Sequence, residues 1–515
     1  MLYVDAAACV DCGACATACP ADAIVPHTAL TGPQLPFLGL NAEYFAAFPH
    51  ADRAPLALVH QQRRLRRAGP FRVAVVGAGP AGLYTADELL RHPEISVDVF
   101  DRLPTPYGLV RAGVAPDHQR TKRVERLFAQ IESQPGFRYF LGVEIGKDLS
   151  HAELAAGYSA VVYTVGAASD KPLDIPGDEH AGSLSATDLV GWYNGHPDKQ
   201  DLAVDLSHER VVIVGNGNVA LDCARILVED PRRLEATDIA PEPLRALLRS
   251  NVREVVVLGR RGPQEAAFTL PELVGLAGHP GINVVVETGG EALPSRDAKA
   301  RLLRDLAARP FEPDRRTIVL RFQASPVAVH GEGRVTAVEI GRNQLLPDEH
   351  GVPRAVPTGE TELLEAGMLL RAVGYHGLPV ADLPYDAATG TIPNDRGRVG
   401  PGVYVAGWVK RGPIGFIGTN KSDAEETVDR ILDDLDAGII KEPVGSAEDL
   451  RGLIRRRQPG MVDLAGWQAI DREERRRGAE TGRPRAKIVD VEEMRRVASA
   501  ASRSRHATLR RWVGA

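Results

Sequence analysis

Residues 71–91, FRVAVVGAGPAGLYTADELLR, decide the fold. Val73–Val76 form an apolar run of the kind that makes a strand buried on both faces. Gly77, Gly79 and Gly82 follow at G-x-G-x-x-G spacing, and Leu83, Ala86, Leu89 and Leu90 then recur at helical intervals. Strand, glycine turn and helix in that order predict the opening of a dinucleotide-binding unit. The first glycine allows the tight turn, the second lets the backbone approach a pyrophosphate, and the third lets the helix lie close to the strand. The helix N-terminus offers an anion free N–H groups and a partial positive charge. A second strand, Ser96–Phe100, ends in Asp101, where an acidic side chain about twenty residues on suits a ribose hydroxyl. The alternative is a plain glycine-rich turn in an α/β domain.

Outward from this stretch, residues 103–122 (LPTPYGLVRAGVAPDHQRTK) are too rich in proline and glycine for a regular element and too apolar for a free linker, so they read as a buried loop beside the ligand. A helix over Lys122–Gln134 and strands near Arg138–Leu141 and Ala160–Val165 complete half of a doubly wound sheet. A second glycine turn, Gly215, Asn216, Gly217, Asn218, follows the strand Val211–Val214 and precedes a helix over Val219–Val228. Ala220 takes the third glycine position, as the looser fingerprint permits.

The next strand, Glu254–Leu258, runs into Gly259, Arg260 and Arg261 rather than an acid. Two guanidiniums at that point suit the 2′-phosphate of NADP, whereas NAD calls for a carboxylate. The alternative is a solvated arginine pair. Residues 230–252 read as a polar, proline-marked helical insertion. Met368–Gly374 and Gly402–Gly407 read as strands returning to the first sheet, so the second unit is inserted into the first. The glycine-rich turn from Trp408 to Thr419, followed by a helix from about Lys421, is again anion-binding in type.

Four of the five cysteines, Cys9, Cys12, Cys15 and Cys19, lie in CVDCGACATACP (residues 9–20), which matches the C-x2-C-x2-C-x3-C-P iron–sulfur run of bacterial ferredoxins. Zinc is the competitor, but zinc pairs come as separated units, which this chain lacks. In two-cluster ferredoxins the fourth cysteine of such a run serves the other cluster, and no second run is present. Three readings stay open: Cys19 closes a single cluster, the other three hold a three-iron cluster, or the protein starts upstream of Met1. Cys223, in the apolar helix ALDCARILV, reads as an inert core residue. Residues 26–70 read as a linker whose basic run Arg63, Arg64, Arg66 and Arg67 is a solvated helix face.

At 515 residues about three domains are expected. A net charge of −6 gives no nucleic-acid signature, and no apolar run is long enough to span a membrane. MLYVDAAACV has no secretory pattern, so a cytoplasmic location is expected.

Five motifs then resemble one family: VVGAGPAGLYTA from Val75, PYGLVRAGVAPDH from Pro106, VGNGNVALDCARIL from Val214, GRRGPQEAAFTLPEL from Gly259 and AGWVKRGPIGFIGTN from Ala406. The chain is similar to NADPH-dependent ferredoxin reductases of the adrenodoxin reductase type, in the form with an N-terminal bacterial ferredoxin module. The likeness covers about residues 71–490. It implies FAD on the first unit, touching Ala81, Asp101, Leu109, Ile145, Trp408, Gly415, Phe416 and Ile417, with NADP on the second, touching Gly215, Asn216, Gly217, Asn218, Val219, Arg260, Arg261, Glu272 and Gly415. Many relatives carry Glu at the Asp101 position, and the second acid often found three residues after Glu272 is here Gly275.

The expected fold is α/β, two doubly wound dinucleotide-binding domains with the NADP domain inserted into the FAD domain, preceded by a small ferredoxin-like iron–sulfur module. The expected boundaries are 1–30 for the module, 31–70 linker, 71–170 and 367–450 FAD domain, 171–366 NADP domain and 451–515 a basic extension. The expected activity is ferredoxin–NADP(+) reductase: NADPH gives a hydride to the flavin, which releases electrons singly to ferredoxin, either the tethered module holding a 4Fe–4S cluster or a separate acidic protein. No residue is assigned as catalytic, and His118 and Asp222 are candidates for proton handling. The alternatives are a reductase feeding a synthase, as the glutamate synthase small subunit does, a diaphorase with a vestigial module, and a flavoprotein scaffold. The arginines Arg232, Arg233, Arg245, Arg249 and Arg253 are a candidate guide for ferredoxin, with a solvated helix as the alternative.

Overall fold

A computed structural model describes residues 32–47, 63–167, 169–290 and 298–500, with Val4, Cys9, Cys15, Ile24, Val25, Leu30 and Leu293 as isolated positions. A helix, α1 (Pro36–Ala47), precedes the first unit. That unit runs β1 (Phe71–Val76), α2 (Pro80–Leu90), β2 (Ile95–Asp101), α3 (Gln119–Lys122), α4 (Glu125–Glu132), β3 (Phe137–Leu141) and β4 (Ala160–Tyr163). The second runs β5 (Ser183–Ser185), α5 (Ala186–Asn194), β6 (Arg210–Val214), α6 (Asn218–Val228), β7 (Glu254–Gly259), α7 (Leu270–Ala277), β8 (Ile282–Glu287) and β9 (Arg316–Phe322). An antiparallel meander, β10 (Ala324–His330), β11 (Ala337–Pro347) and β12 (Pro353–Glu365), leads to β13 (Met368–Arg371). The remaining principal elements are β14 (Arg398–Gly400), β15 (Val403–Val405), α8 (Thr419–Asp436) and α9 (Leu464–Ala479).

The first sheet has the order β14-β15-β4-β1-β2-β3, parallel except at β14. From β1 the chain winds out through β2 and β3 and then returns to β4 on the other side, which opens a crevice at the end of β1. Val73, Val75, Val97 and Val99 are fully buried beneath α2, α8 and α9, with Leu83, Ile431 and Trp467 in the same core. Each such side chain contributes about 2 kcal/mol. Phe100, Phe140, Tyr163 and Val405 form the opposite face. The second sheet, β5-β13-β6-β7-β9-β8, is wholly parallel and places its first glycine turn at the end of β6 in the same way. One face packs on α6 through Leu221 and Leu227, and the other on the meander through Val338 and Ile340.

Met368–Gly374 is corrected by this pairing. β13 lies between β5 and β6 in the second sheet, and of the two expected returning strands only Val403–Val405 joins the first sheet. An apolar run such as MLLR is buried between layers in either sheet, so its pattern does not say which one it joins. The chain crosses between units through a short antiparallel pair, Tyr375 opposite Asp170 and His376 opposite Ser169.

Two further stretches differ from expectation. The run at Arg63–Arg67 is not a helix face but a clamp on the C-terminal end of α8. Arg63 pairs with Asp433 at 2.7 Å and Asp436 at 2.9 Å, the backbone N–H groups of Arg66 and Arg67 donate to Asp436, and Arg67 donates to the Ile440 carbonyl. Residues 451–500 are not an appendage: Trp467 and Ile470 enter the first core, and the buried Glu474 receives Arg111 at both oxygens. Residues 501–515 and most of the N-terminal module lie outside the described residues. Among the described residues no helix is long and apolar enough to cross a membrane.

Candidate functional site

β1, β2, β4 and β15 run the same way, so Gly77, Asp101, Thr164 and Gly407 meet on one edge of the first sheet. Gly77 has φ +114°, and a Cβ there would lie 2.6 Å from the Thr164 carbonyl oxygen. A Cβ at Gly82 would fall on the Gly77 carbonyl, so this glycine is what lets α2 start against the strand. Gly79 differs. It caps α2, and a Cβ there would meet nothing nearer than the Gly108 Cα at 3.9 Å. The fold does not demand glycine at this point, whereas an anion approaching the helix N-terminus does, and the cradle therefore fits a pyrophosphate.

Asp101 is half-buried and accepts from the Ala78 N–H at 2.8 Å and the Leu103 N–H at 2.9 Å. Burial pushes its carboxyl up, against the pull of these two donors. It thus ties the glycine turn to the end of β2, and each oxygen keeps a lone pair for a ribose hydroxyl. The 103–122 loop lies across the turn: the Tyr107 N–H donates to the Ala78 carbonyl at 2.8 Å, and Gly108, at φ +47°, comes close against Gly79. Leu109 is partly exposed beside it, and Ile145 is half-buried beyond β3.

Across the edge a Cβ on Gly407 would lie 2.6 Å from the Ala81 Cβ, and its N–H donates to Asp423 of α8. Trp408 is half-buried and packs on Tyr375 with ring centroids 5.1 Å apart. Gly415 has φ +90° and abuts the Thr419 side chain. Around it Ile414 and Phe416 are 73% and 47% exposed while Ile417 packs on the core. A glycine turn that presents this much apolar surface at a sheet edge suits a flat ring.

The second unit repeats the plan. Gly215 has φ +105°, and its missing Cβ would strike the Ala372 carbonyl, while Gly217 faces open space. The Asn216 and Asn218 side-chain oxygens accept from the N–H groups of Ala267 (3.3 Å) and Thr269 (2.8 Å). These two residues therefore bracket the segment before α7, a duty that the sequence did not reveal, and Val219 packs partly into the core. At the end of β7 the backbones of Arg260 and Arg261 are held through their carbonyls by Asn343 and by the Gln323 N–H, both at 3.0 Å. Among the described residues neither guanidinium has an ion-pair partner, so both forks are available to an anion.

Between the units His118 lies 3.9 Å from Asp222 and 3.9 Å from Glu272. The three ligand atoms fall within 4.8 Å of one another, a spacing that suits a metal. The positive charge is already supplied: Arg225 binds Asp117 and Asp222 and approaches His118 Nε2 at 3.0 Å. Burial keeps His118 below its usual range and hence neutral at pH 7, and burial together with Glu272 pushes Asp222 up. Arg225 was legible only as the i,i+3 partner of Asp222. Of the four expected cluster ligands, Cys9 is half-buried and Cys15 exposed, while Cys12 and Cys19 lie outside the described residues.

Comparison with known proteins agrees with this geometry. Residues 71–258 match the family described as pyridine nucleotide-disulphide oxidoreductase, and residues 2–25 match the 4Fe–4S binding domain. Within the first match the one cysteine is the buried Cys223, so the chain lacks a dithiol there. A probable ferredoxin/ferredoxin–NADP reductase of Mycobacterium tuberculosis is 48% identical over 530 residues, covering 97% of this chain and 89% of the relative. The mitochondrial NADPH:adrenodoxin oxidoreductase of Arabidopsis thaliana is 40% identical over 457 residues, covering 82% and 95%. The structure of Mycobacterium tuberculosis FprA in complex with NADPH superposes with a TM-score of 0.80 at 42% identity, covering 83% of this chain and 99% of that one.

Proposed function

The chain belongs to the NADPH-dependent ferredoxin reductase family that includes adrenodoxin oxidoreductase, and from that premise we propose that its first glycine turn holds FAD and its second NADP(H). It is a flavin-dependent oxidoreductase, a ferredoxin–NADP(+) reductase, that passes electrons between NADPH and ferredoxin and carries a 4Fe–4S domain. Bound FAD supplies the chemistry that joins a two-electron hydride donor to one-electron acceptors.

The residues divide the remaining work. Gly77, Gly79, Ala81 and Gly82 bring the N-terminus of α2 to the FAD pyrophosphate, and Asp101 serves the ribose. Leu109, Ile145, Trp408, Gly415, Phe416 and Ile417 form the apolar end of that site, with Gly415, at φ +90° and against the Thr419 side chain, shaping the turn beside the nicotinamide. Gly215, Asn216, Gly217, Asn218 and Val219 form the NADP turn, and Arg260 and Arg261 take the 2′-phosphate. Glu272 and neutral His118 border the junction where protons are handled. Cys9, Cys12, Cys15 and Cys19 are the cluster ligands. We assign residues 71–170 and 375–500 to the flavin unit and 171–374 to the inserted one, on the strength of the crossing pair at 169–170 and 375–376. We place the protein in the cytoplasm, since an oxidising compartment would pair its crowded thiols.

The observation that carries the nucleotide assignment is the arginine pair at the end of β7, without a carboxylate partner among the described residues. Arg260→Ala with Arg261→Ala is expected to weaken NADPH on the order of a hundredfold, two charge-assisted hydrogen bonds being lost, and to leave NADH nearly unchanged. Steady-state KM values for both coenzymes with ferricyanide as acceptor check this, and equal losses refute it.

A further inference from the structure

We propose that the helical stripe Arg120, Arg123, Arg126 and Leu127 is the surface on which the chain's own iron–sulfur module, residues 2–25, docks. The proposal rests on the electron-transfer reading above.

The stripe is built by one continuous turn of backbone. Arg123 and Val124, between α3 and α4, keep right-handed helical dihedrals, and the N–H groups of Arg123, Val124, Arg126 and Leu127 bond three residues back, so a 3-10 turn joins the two helices. Positions 120, 123, 126 and 127 then share a face. The opposite side is committed to the interior: Lys122 binds Asp238 at 2.8 Å, and Phe128 and Ile131 enter the first core. All three arginines are exposed, and among the described residues none has an ion-pair partner. On α9, by contrast, Arg475, Arg476 and Arg477 are each paired with nearby carboxylates. An uncompensated row of guanidiniums raises the local concentration of an anionic partner.

Its place suits electron delivery. The stripe begins two residues after His118, on the loop whose Tyr107 and Gly108 lie against the first glycine turn. The rival basic patch lies elsewhere: Arg253 immediately precedes the N-terminal end of β7, and Arg232 and Arg233 follow the C-terminal end of α6. That is the edge of the second sheet away from its glycine turn, a strand length of about 20 Å from the nucleotide.

Charge names the occupant. Residues 1–52 contain Asp5, Asp11, Asp22, Glu43 and Asp52 and no Lys or Arg, a formal −5. The whole chain carries −6, and −6 less −5 leaves −1 for all that follows. Four thiolates around a cluster add to the negative charge of the module. The reductase portion is thus close to neutral, and only a local basic surface on it can attract the module. The tether permits the encounter. It is pinned where Arg63 meets Asp433 and Asp436, and residues 48–62 ahead of that clamp can span up to about 50 Å.

The test uses the full-length protein with its flavin and cluster. Arg120→Glu, Arg123→Glu and Arg126→Glu together are expected to slow the NADPH-driven bleaching of the cluster at least about tenfold at low ionic strength. The deficit should shrink in high salt, and NADPH–ferricyanide turnover should stay unchanged. Independently of turnover, a carbodiimide applied to the Arg123→Lys variant is expected to join residue 123 to Asp5, Asp11 or Asp22, read by peptide mass spectrometry. Unchanged bleaching in the triple variant overturns the proposal, as does a cross-link from residue 123 only to other carboxylates. Slowing confined to an acidic ferredoxin added in trans overturns it too, by assigning the stripe to a separate partner. Failure of the unmodified protein to oxidise NADPH with ferricyanide would instead strike the reading on which the proposal rests.

Discussion

At Gly79 and Gly82 one substitution has two opposite outcomes. Gly82→Ala puts a methyl on the Gly77 carbonyl and pushes α2 off β1, so the variant is expected to be insoluble or unfolded. Gly79→Ala meets only the Gly108 Cα at 3.9 Å. Its melting temperature without flavin should match the parent, while FAD affinity falls by at least tenfold, about 1.4 kcal/mol. Flavin titration of the stripped proteins beside thermal melts checks this, and a Gly79→Ala variant that binds FAD normally removes the pyrophosphate from this turn. The two positions look alike in the sequence and differ only in what lies above them.

Among elements, α4 and β3 are joined by a titrating contact. The Tyr139 hydroxyl donates to Glu132 at 2.8 Å, and burial raises the Glu132 carboxyl to about 7. Between its ordinary value near 4.5 and pH 7 the folded chain therefore holds a proton that the unfolded chain has released. Stability declines as pH rises through that window, by something on the order of 3 kcal/mol in all. Glu132→Gln keeps an acceptor for Tyr139 and carries no charge, so it is expected to melt above the parent at pH 8 and to converge with it towards pH 5. An equal shift at both pH values argues against the assignment.

Legibility also varied by element. The two glycine turns, and the place of Arg260 and Arg261 at the end of β7, could be read because backbone sterics act over a few residues. The sheet that β13 joins could not, because burial on both faces erases the difference. The clamp at Arg63–Arg67 and the burial of Glu474 by Arg111 depend on partners more than 360 residues away in the chain, to which no local pattern points.

For the whole molecule, the two units meet on Asp238. It belongs to the inserted unit, yet it receives Lys122 at 2.8 Å, Lys487 at 2.9 Å and Gln119 at 2.8 Å from the flavin unit. The two ammonium groups hold its carboxyl well below the usual range, while burial draws Lys487 down to about 7. Asp238→Asn leaves the buried Lys122 and Lys487 amines facing an amide, a loss expected to cost up to about 3–5 kcal/mol in denaturant unfolding. Hydrogen exchange should rise in residues 110–124 and 186–195 together, since those segments share the contact. Exchange confined to one of them would mean that Asp238 does not couple the units.

The antiparallel pair at Ser169–Asp170 and Tyr375–His376 makes the inserted unit's entrance and exit immediate neighbours. A segment whose two ends touch resembles a cartridge in a socket: it can be exchanged for another of unrelated length without stretching its host. On the proposed assignment of Arg260 and Arg261, recognition of the 2′-phosphate sits on that cartridge and is thereby separable by descent from the redox centre it feeds.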